Sequence, residues 1–185
     1  MTNYKCVQIK TFLGIIFIMQ IRKAIALDLD SFFQIILDCK KDMSEKGIEQ
    51  WPIHHPSKER ISDGIQKGEH FVALIDGKVV GGVRLNHSGD EQYSLIKWNI
   101  EDKNPLIVHQ LAVDPKMQGK GIAKALMLFA EEYAKKEGSK AIRLDTYGKN
   151  KFSNSFYEKA GYKFTGTIEM PQYMPGKYNC YEKVL

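Results

Sequence analysis

The sequence predicts a mixed α/β fold, and three observations carry that expectation. In the second half of the chain, strand-like and helix-like stretches alternate: an apolar run at 105–113, a helical pattern at 121–137, strand-like KAIRLDTY, helical SNSFYEKAG, and closing strands at 162–168 and 178–184. Earlier, Asp76-Gly77 joins the two strand-like halves of HFVALIDGKVVGGVRLN, and such a dipeptide tolerates the positive φ of a tight hairpin turn. A chain of 185 residues with 43% hydrophobic content makes one domain with enough apolar side chain for a core.

The elements follow in order. KTFLGIIFIM, residues 10–19, looks like a signal-peptide core with Lys5 and Lys10 ahead of it, but it is too short to span a bilayer. QIRKAIALD after it offers no small-residue cleavage site. Two readings remain: an extra buried segment, or residues upstream of a natural start at Met19. The second is preferred, so the expected organisation is an N-terminal extension over 1–18 and one domain over 19–185. Residues 20–26 read as a first strand. Asp28 can cap a helix in which Leu29, Phe32, Phe33, Ile36 and Leu37 keep the helical period as far as Gly47. IEQWPIHHP is a loop, and Ser57 can cap a shorter helix ending near Gly68. Residues 93–100 fit a strand or a loop equally. The helix over 121–137 puts Ile122, Ala125, Leu126, Phe129, Ala130, Tyr133 and Ala134 on one face, and Gly138 ends it.

Composition narrows the function. The balance of 27 basic to 22 acidic residues is a mild +5 without a dense Lys/Arg run or a basic stripe interleaved with aromatics, which argues against nucleic acid as a specific partner. Such a bias still attracts a small anion. Cys6, Cys39 and Cys180 are odd in number and widely spaced, with no C-x-x-C, so neither a disulfide framework nor a zinc site is expected. A reducing, cytoplasmic setting fits, with no membrane partner and no metal.

The most informative stretch is VHQLAVDPKMQGKGIAKAL, 108–126. It runs as a strand, stops at Asp114-Pro115, and passes Gly119 and Gly121 into a helix. Glycines at a helix entrance let the backbone approach a ligand closely, and the unpaired N–H groups there favour an anion. G-x-x-x-x-G-K-[S/T] is absent, and a dinucleotide G-x-G-x-x-G fails because Lys124 stands where the third glycine belongs. What the segment matches is Gln/Arg-x-x-Gly-x-Gly/Ala, over Gln118, Gly119, Lys120, Gly121, Ile122 and Ala123. It resembles the acyl-CoA pyrophosphate loop of the GNAT superfamily of acetyl-CoA-dependent N-acetyltransferases. HQLAVDP before it, SFYEKAGYKFTG after it and the terminal NCYEKVL resemble further segments of that family, so the likeness covers nearly the whole chain beyond the first eighteen or so residues.

The resemblance implies a three-layer fold, its mostly antiparallel central sheet containing a splayed parallel strand pair and flanked by helices. It implies acetyl-CoA as cosubstrate, with the pantetheine arm inserted between the strands matching 106–113 and 141–146. Residues 118–124, including Lys120 and Lys124 as point charges, would hold the pyrophosphate. The backbone of Leu111, Ala112 and Val113 would line the arm, an N–H at Leu111 polarising the thioester carbonyl. Asn150 and Ser153 match the family's Asn-x-x-Ala-x-x-x-Tyr with Ser for Ala, and Asn150 reads equally as a helix cap. Tyr157 aligns with the usual general acid. By the same likeness Trp51 and Tyr173 fall where an acceptor pocket is lined, though either can be a packing anchor.

An amine of lysine-like pKa near ~10.4 must lose a proton before attack. His109, two residues before Leu111 on one strand face, has an unperturbed pKa near ~6.5 that suits a base. Glu91, Asp145 and a water-relayed base stay open. The expected function is direct acetyl transfer to a primary amine of a small molecule or peptide. A non-catalytic acyl-CoA sensor is the alternative, and a homodimer stays open.

Overall fold

The computed structural model describes residues 5–10, 16–52 and 54–185. In chain order the elements are β1 (Lys5–Lys10), β2 (Ile16–Lys23), α1 (Leu29–Glu45), α2 (Lys58–Gln66), β3 (His70–Ile75), β4 (Lys78–Asn86), β5 (Leu106–Val113), α3 (Ile122–Lys136), β6 (Ala141–Tyr147), α4 (Lys151–Lys159), β7 (Lys163–Glu169) and β8 (Lys177–Val184). The strands form one sheet in the order β1-β2-β3-β4-β5-β6-β8-β7. Every pairing is antiparallel except β5 with β6.

Helices cover both faces. On one, Phe32, Ile35 and Ile36 of α1 and Ile61 of α2 pack on Val72, Leu74 and Ala112. On the other, Leu126, Phe129 and Ala130 of α3 join Ile21, Phe71, Val83 and Leu106. This is the helical period of α3 meeting the alternation of the strands. Side chains such as Phe32, Ile36 and Leu126 are 0% exposed, and burying each contributes roughly 1.5–3 kcal/mol.

Local expectations fare unevenly. Asp76 and Gly77 take φ of 49° and 74°, as the hairpin requires. The Ser57 hydroxyl accepts from the Arg60 N–H at 3.2 Å and caps α2. Asp28 does not cap α1 with its side chain: its carboxylate pairs instead with Arg22 at 2.6 Å and accepts the Ile25 N–H at 2.8 Å. The first expected strand starts earlier, at Ile16, and β1 lies against it with Cys6 opposite Gln20. Met19 is fully buried, so the expected boundary at 19 falls inside β2. Residues 93–100 hold the end of a 3-10 turn, Glu91–Leu95, and then a loop.

The junction of β5 and β6 positions the site. They pair only as Leu106 with Ile142, Ile107 with Arg143 and Val108 with Leu144. On its other side β5 carries an extra residue: His109 pairs with Arg84 and Ala112 with Gly82, so three steps on β5 answer two on β4. Gln110, at φ 53°, absorbs the bulge. The alternation that would put His109 and Leu111 on one face is interrupted between them. Beyond Val108 the two strands part.

Candidate functional site

The site begins where β5 ends. The Asp114 carboxylate accepts the Lys116 N–H at 2.9 Å and, with Pro115, closes a 3-10 turn at Pro115–Met117. Gly119 and Gly121 then take φ of 75° and 85° before α3 starts at Ile122. A side-chain-bearing residue pays roughly 1–2 kcal/mol in that left-handed region, which is why glycines stand here. Among the described residues, none of the N–H groups of 119–124 meets a hydrogen-bond acceptor. A row of open donors at the positive end of a fifteen-residue helix suits an anion. The adjoining cavity, about 220 Å³, is lined by Gly119, Gly121, Ile122, Ala123 and Lys124 among others. Lys120 is not part of that lining; its ammonium donates to the Met117 sulfur at 3.3 Å. The Gln118 amide donates to the Val113 carbonyl at 3.3 Å and ties the loop to the strand end.

Sharing Val113, Gln118, Ala123 and Phe156 with that cavity, a cleft of about 370 Å³ follows the parting strands. Leu111, Ala112 and Val113 form one wall, and Asn150, Ser153 and Phe156 of the α4 region form the other. Asn150 is the N-cap of α4: its carbonyl oxygen accepts the Ser153 N–H at 3.1 Å, while its amide donates to Gln50 at 2.6 Å. Its side chain is thereby committed on both ends, to the helix and to the loop after α1. The Ser153 hydroxyl meets that of Thr146 at 2.7 Å. Cys39, also in the cleft, donates to the Val113 carbonyl, and burial pushes its thiol up to about 12, so it is no thiolate.

Past the cleft lies a smaller polar chamber of about 90 Å³. Gln50, Trp51, Leu111 and Tyr157 line both spaces and form the wall between them. Tyr157 is held by ring contacts with Phe156, Tyr162 and Tyr181, centroids 5.3, 6.0 and 6.0 Å away. Burial, and then the Asp145 charge, hold its hydroxyl well above the ordinary tyrosine range, so it stays protonated at neutral pH.

His109 and Tyr173 line the chamber. The His109 Nε2 lies 3.1 Å from both the Asn86 side-chain oxygen and the Ser88 carbonyl. Two oxygen acceptors there put the proton on Nε2 and leave Nδ1 as the acceptor. Burial, then the Arg84 charge, lower His109 to about 4, well under the ordinary value that recommended it as a base. The Tyr173 ring packs tilted against His55, centroids 4.3 Å apart, and its hydroxyl reaches Asp90 at 3.4 Å. Glu91, on its 3-10 turn, does not line the chamber.

Several chamber residues had no sequence signal: Gln50, His55, Arg60, Asp90, Gln110 and Tyr178. They come from loops and strand ends far apart in the chain, and no spacing rule links them. Asp145 was one open choice of base. Its carboxylate accepts the Tyr93 hydroxyl at 2.7 Å, and burial, opposed by that bond, pushes it up to about 6. Among the described residues no cluster of His, Cys, Asp and Glu could hold a metal, and no helix is long and apolar enough to cross a membrane.

The chain is similar to known proteins in sequence and in fold. Residues 29–162 match the model of the acetyltransferase (GNAT) family. An uncharacterized N-acetyltransferase of Methanocaldococcus jannaschii is 30% identical over 150 residues, 77% of this chain and 60% of its own length. The spermidine N(1)-acetyltransferase of Thermoplasma acidophilum is 28% identical over 170 residues, covering 86% of this chain and 97% of that protein. Among solved structures, a GNAT-family acetyltransferase of Streptococcus agalactiae superposes with a TM-score of 0.79 at 24% identity, over 90% of this chain and 95% of that one. An N-acetyltransferase of Thermoplasma acidophilum in complex with coenzyme A gives 0.67 at 22% identity, over 90% and 99%. With a matching family model over most of its length and the splayed strand pair opening beside a glycine loop, this chain belongs to the acetyltransferase (GNAT) family.

Proposed function

We propose that the protein transfers an acetyl group from acetyl-CoA directly to a primary amine. The observation that carries this reading is the position of Tyr157: a protonated phenol in the wall shared by the cleft and the chamber, able to serve a reaction between a group in each. The residues present fit acetyl-CoA as cosubstrate. The open N–H groups of 119–124, with Lys124, suit its pyrophosphate, and the edge of β5 at Leu111 and Ala112, left without a β6 partner beyond Val108, suits the amide-bearing arm. Bound there, acetyl-CoA would supply the acetyl group as a reactive thioester.

This chain's own residues would then do three things. The backbone at Leu111 would donate to the thioester oxygen and stabilise the charge that develops on it. Trp51, Tyr173 and their neighbours in the chamber would orient the acceptor and exclude water. Tyr157 would give its proton to the departing sulfur, since a thiol of pKa near ~8.5 leaves faster when protonated as it goes. The similarity to a spermidine N(1)-acetyltransferase supports an amine as acceptor. A cytoplasmic setting suits this chemistry, because acetyl-CoA and free thiols coexist there.

The test is an acceptor screen with acetyl-CoA, following free thiol release across amino acids, polyamines, aminoglycosides and peptides. Turnover with at least one amine is expected. Tight acetyl-CoA binding with no turnover on any of them would instead identify a sensor.

A further inference from the structure

Asp145 stands at the fork of the sheet. Val108 opposite Leu144 is the last pair between β5 and β6, and Asp145 is the next residue of β6. The parting of the strands therefore uncovers it to the polar chamber, on the chamber side of Tyr157. Its carboxylate accepts the Tyr93 hydroxyl at 2.7 Å and its own backbone N–H, and among the described residues no cation pairs with it. A carboxylate held in such a place without a counter-charge is costly unless something supplies one.

The surrounding groups do not supply it. Asp90 and Tyr93 face it from the 88–98 segment, His109 from β5, Tyr157 from α4, Tyr173 from the loop before β8, and Cys180 and Tyr178 from β8. Asp90 is a second negative charge, and burial and the Asp145 charge push the Cys180 thiol up to about 12. His109 is neutral, and so is His55 farther round the wall, lowered to about 4 by burial first and Arg60 next. Arg60 is the one cationic side chain in the lining; its residue is exposed, and the charge it adds falls on His55, His109 and Tyr173.

We infer that Asp145 is the counter-ion that receives the acceptor as an ammonium cation, and the base that takes its proton; the inference rests on the transferase reading above. The class of acceptor follows: a slender primary amine, charged as it enters, with its nitrogen between Asp145 and Tyr157. One N–H bond of the ammonium breaks as an O–H bond forms on Asp145. The freed lone pair makes the C–N bond while the C–S bond breaks, the sulfur takes the Tyr157 proton, and the surplus proton on nitrogen restores Tyr157. Asp145 discharges to solvent. Two titrating groups driven apart on either side of one reacting centre are how a site assigns a base and an acid.

The test compares wild type with the isosteric Asp145→Asn and the charge-keeping Asp145→Glu, using n-butylamine. With acetyl-CoA, the wild-type kcat/KM should hold a plateau from about pH 6 up toward the amine's own pKa near ~10, because carboxylate and ammonium must coexist. Asp145→Asn should lose roughly 10²–10⁴-fold at pH 7 and instead rise about tenfold per pH unit, as only neutral amine then reacts. In a second arm, calorimetry on the CoA complex at pH 7.5 should find n-butylammonium bound at least tenfold more weakly by Asp145→Asn, Asp145→Glu in between, and n-butanol bound alike by all three. An unchanged plateau in Asp145→Asn overturns the assignment while leaving the transferase reading standing. Ammonium binding that depends on Asp145 without turnover keeps Asp145 as the counter-ion and overturns it as the base. Equal ammonium affinity in wild type and Asp145→Asn overturns the assignment outright.

Discussion

Replacing Gly121 by Gln and by Glu separates backbone strain from charge at the loop. Gly121 has φ 85°, and any side chain there adds roughly 1–2 kcal/mol of strain. In a domain of this size that lowers the melting temperature by about 2–8 °C, equally for the two variants. Gln keeps every N–H donor of the loop, so acetyl-CoA affinity should fall less than tenfold. Glu adds one negative charge about 5 Å from the pyrophosphate site. At an effective dielectric of about 20 that repulsion is about 3 kcal/mol, or roughly a hundredfold in affinity. Calorimetric titration with acetyl-CoA reads the difference, and circular dichroism checks the fold. Equal affinity in the Gln and Glu variants would remove the loop from the binding site.

Three further outcomes are expected. His70 is 0% exposed with its Nδ1 unpartnered among the described residues, and burial, partly offset by its bond to Gln110, lowers it to about 4. The unfolded chain binds that proton from about pH 6.5, so stability is complete above 6.5 and falls as the pH drops toward 4, by roughly 3 kcal/mol at most. Denaturant titrations should show the loss, and His70→Asn should reduce the slope; an unchanged slope contradicts the burial argument. A chain shortened to start at Met19 keeps all five β2–β3 pairs, Met19 with Ile75 through Lys23 with Phe71, and should stay soluble and bind acetyl-CoA. A large fall in its melting temperature would make residues 1–18 part of the core. Rapid mixing with acetyl-CoA alone should give no stoichiometric burst of thiol, since Cys180 and Cys39 are held as thiols; a burst lost in Cys180→Ala would overturn direct transfer.

The parts of this molecule legible in its sequence are those whose physics is local. Gly119 and Gly121 signal positive φ at a helix entrance, Asp76-Gly77 does so at a hairpin, and the period of α3 announces its buried face. Asp28 misled because a carboxylate beside a helix start has a stronger partner in Arg22, six residues back and invisible to a capping rule. Gln110 misled for a different reason: one inserted residue shifts the alternation of β5, and nothing in LIVHQLAV marks where. The chamber was the least legible part. Asp145 lies exposed to it only because β5 and β6 part after Val108, while Asp90, His55 and Tyr178 reach it from segments that the sheet order, not the sequence, brings together.

The central claim is direct transfer across the wall that Tyr157 forms, and Tyr157→Phe tests it most directly. The substitution keeps the ring that packs on Phe156, Tyr162 and Tyr181 and removes only the proton. With an amine found in the acceptor screen, turnover should fall by roughly 10²–10⁴-fold while acetyl-CoA affinity changes less than about threefold. Wild-type turnover in Tyr157→Phe would contradict the account.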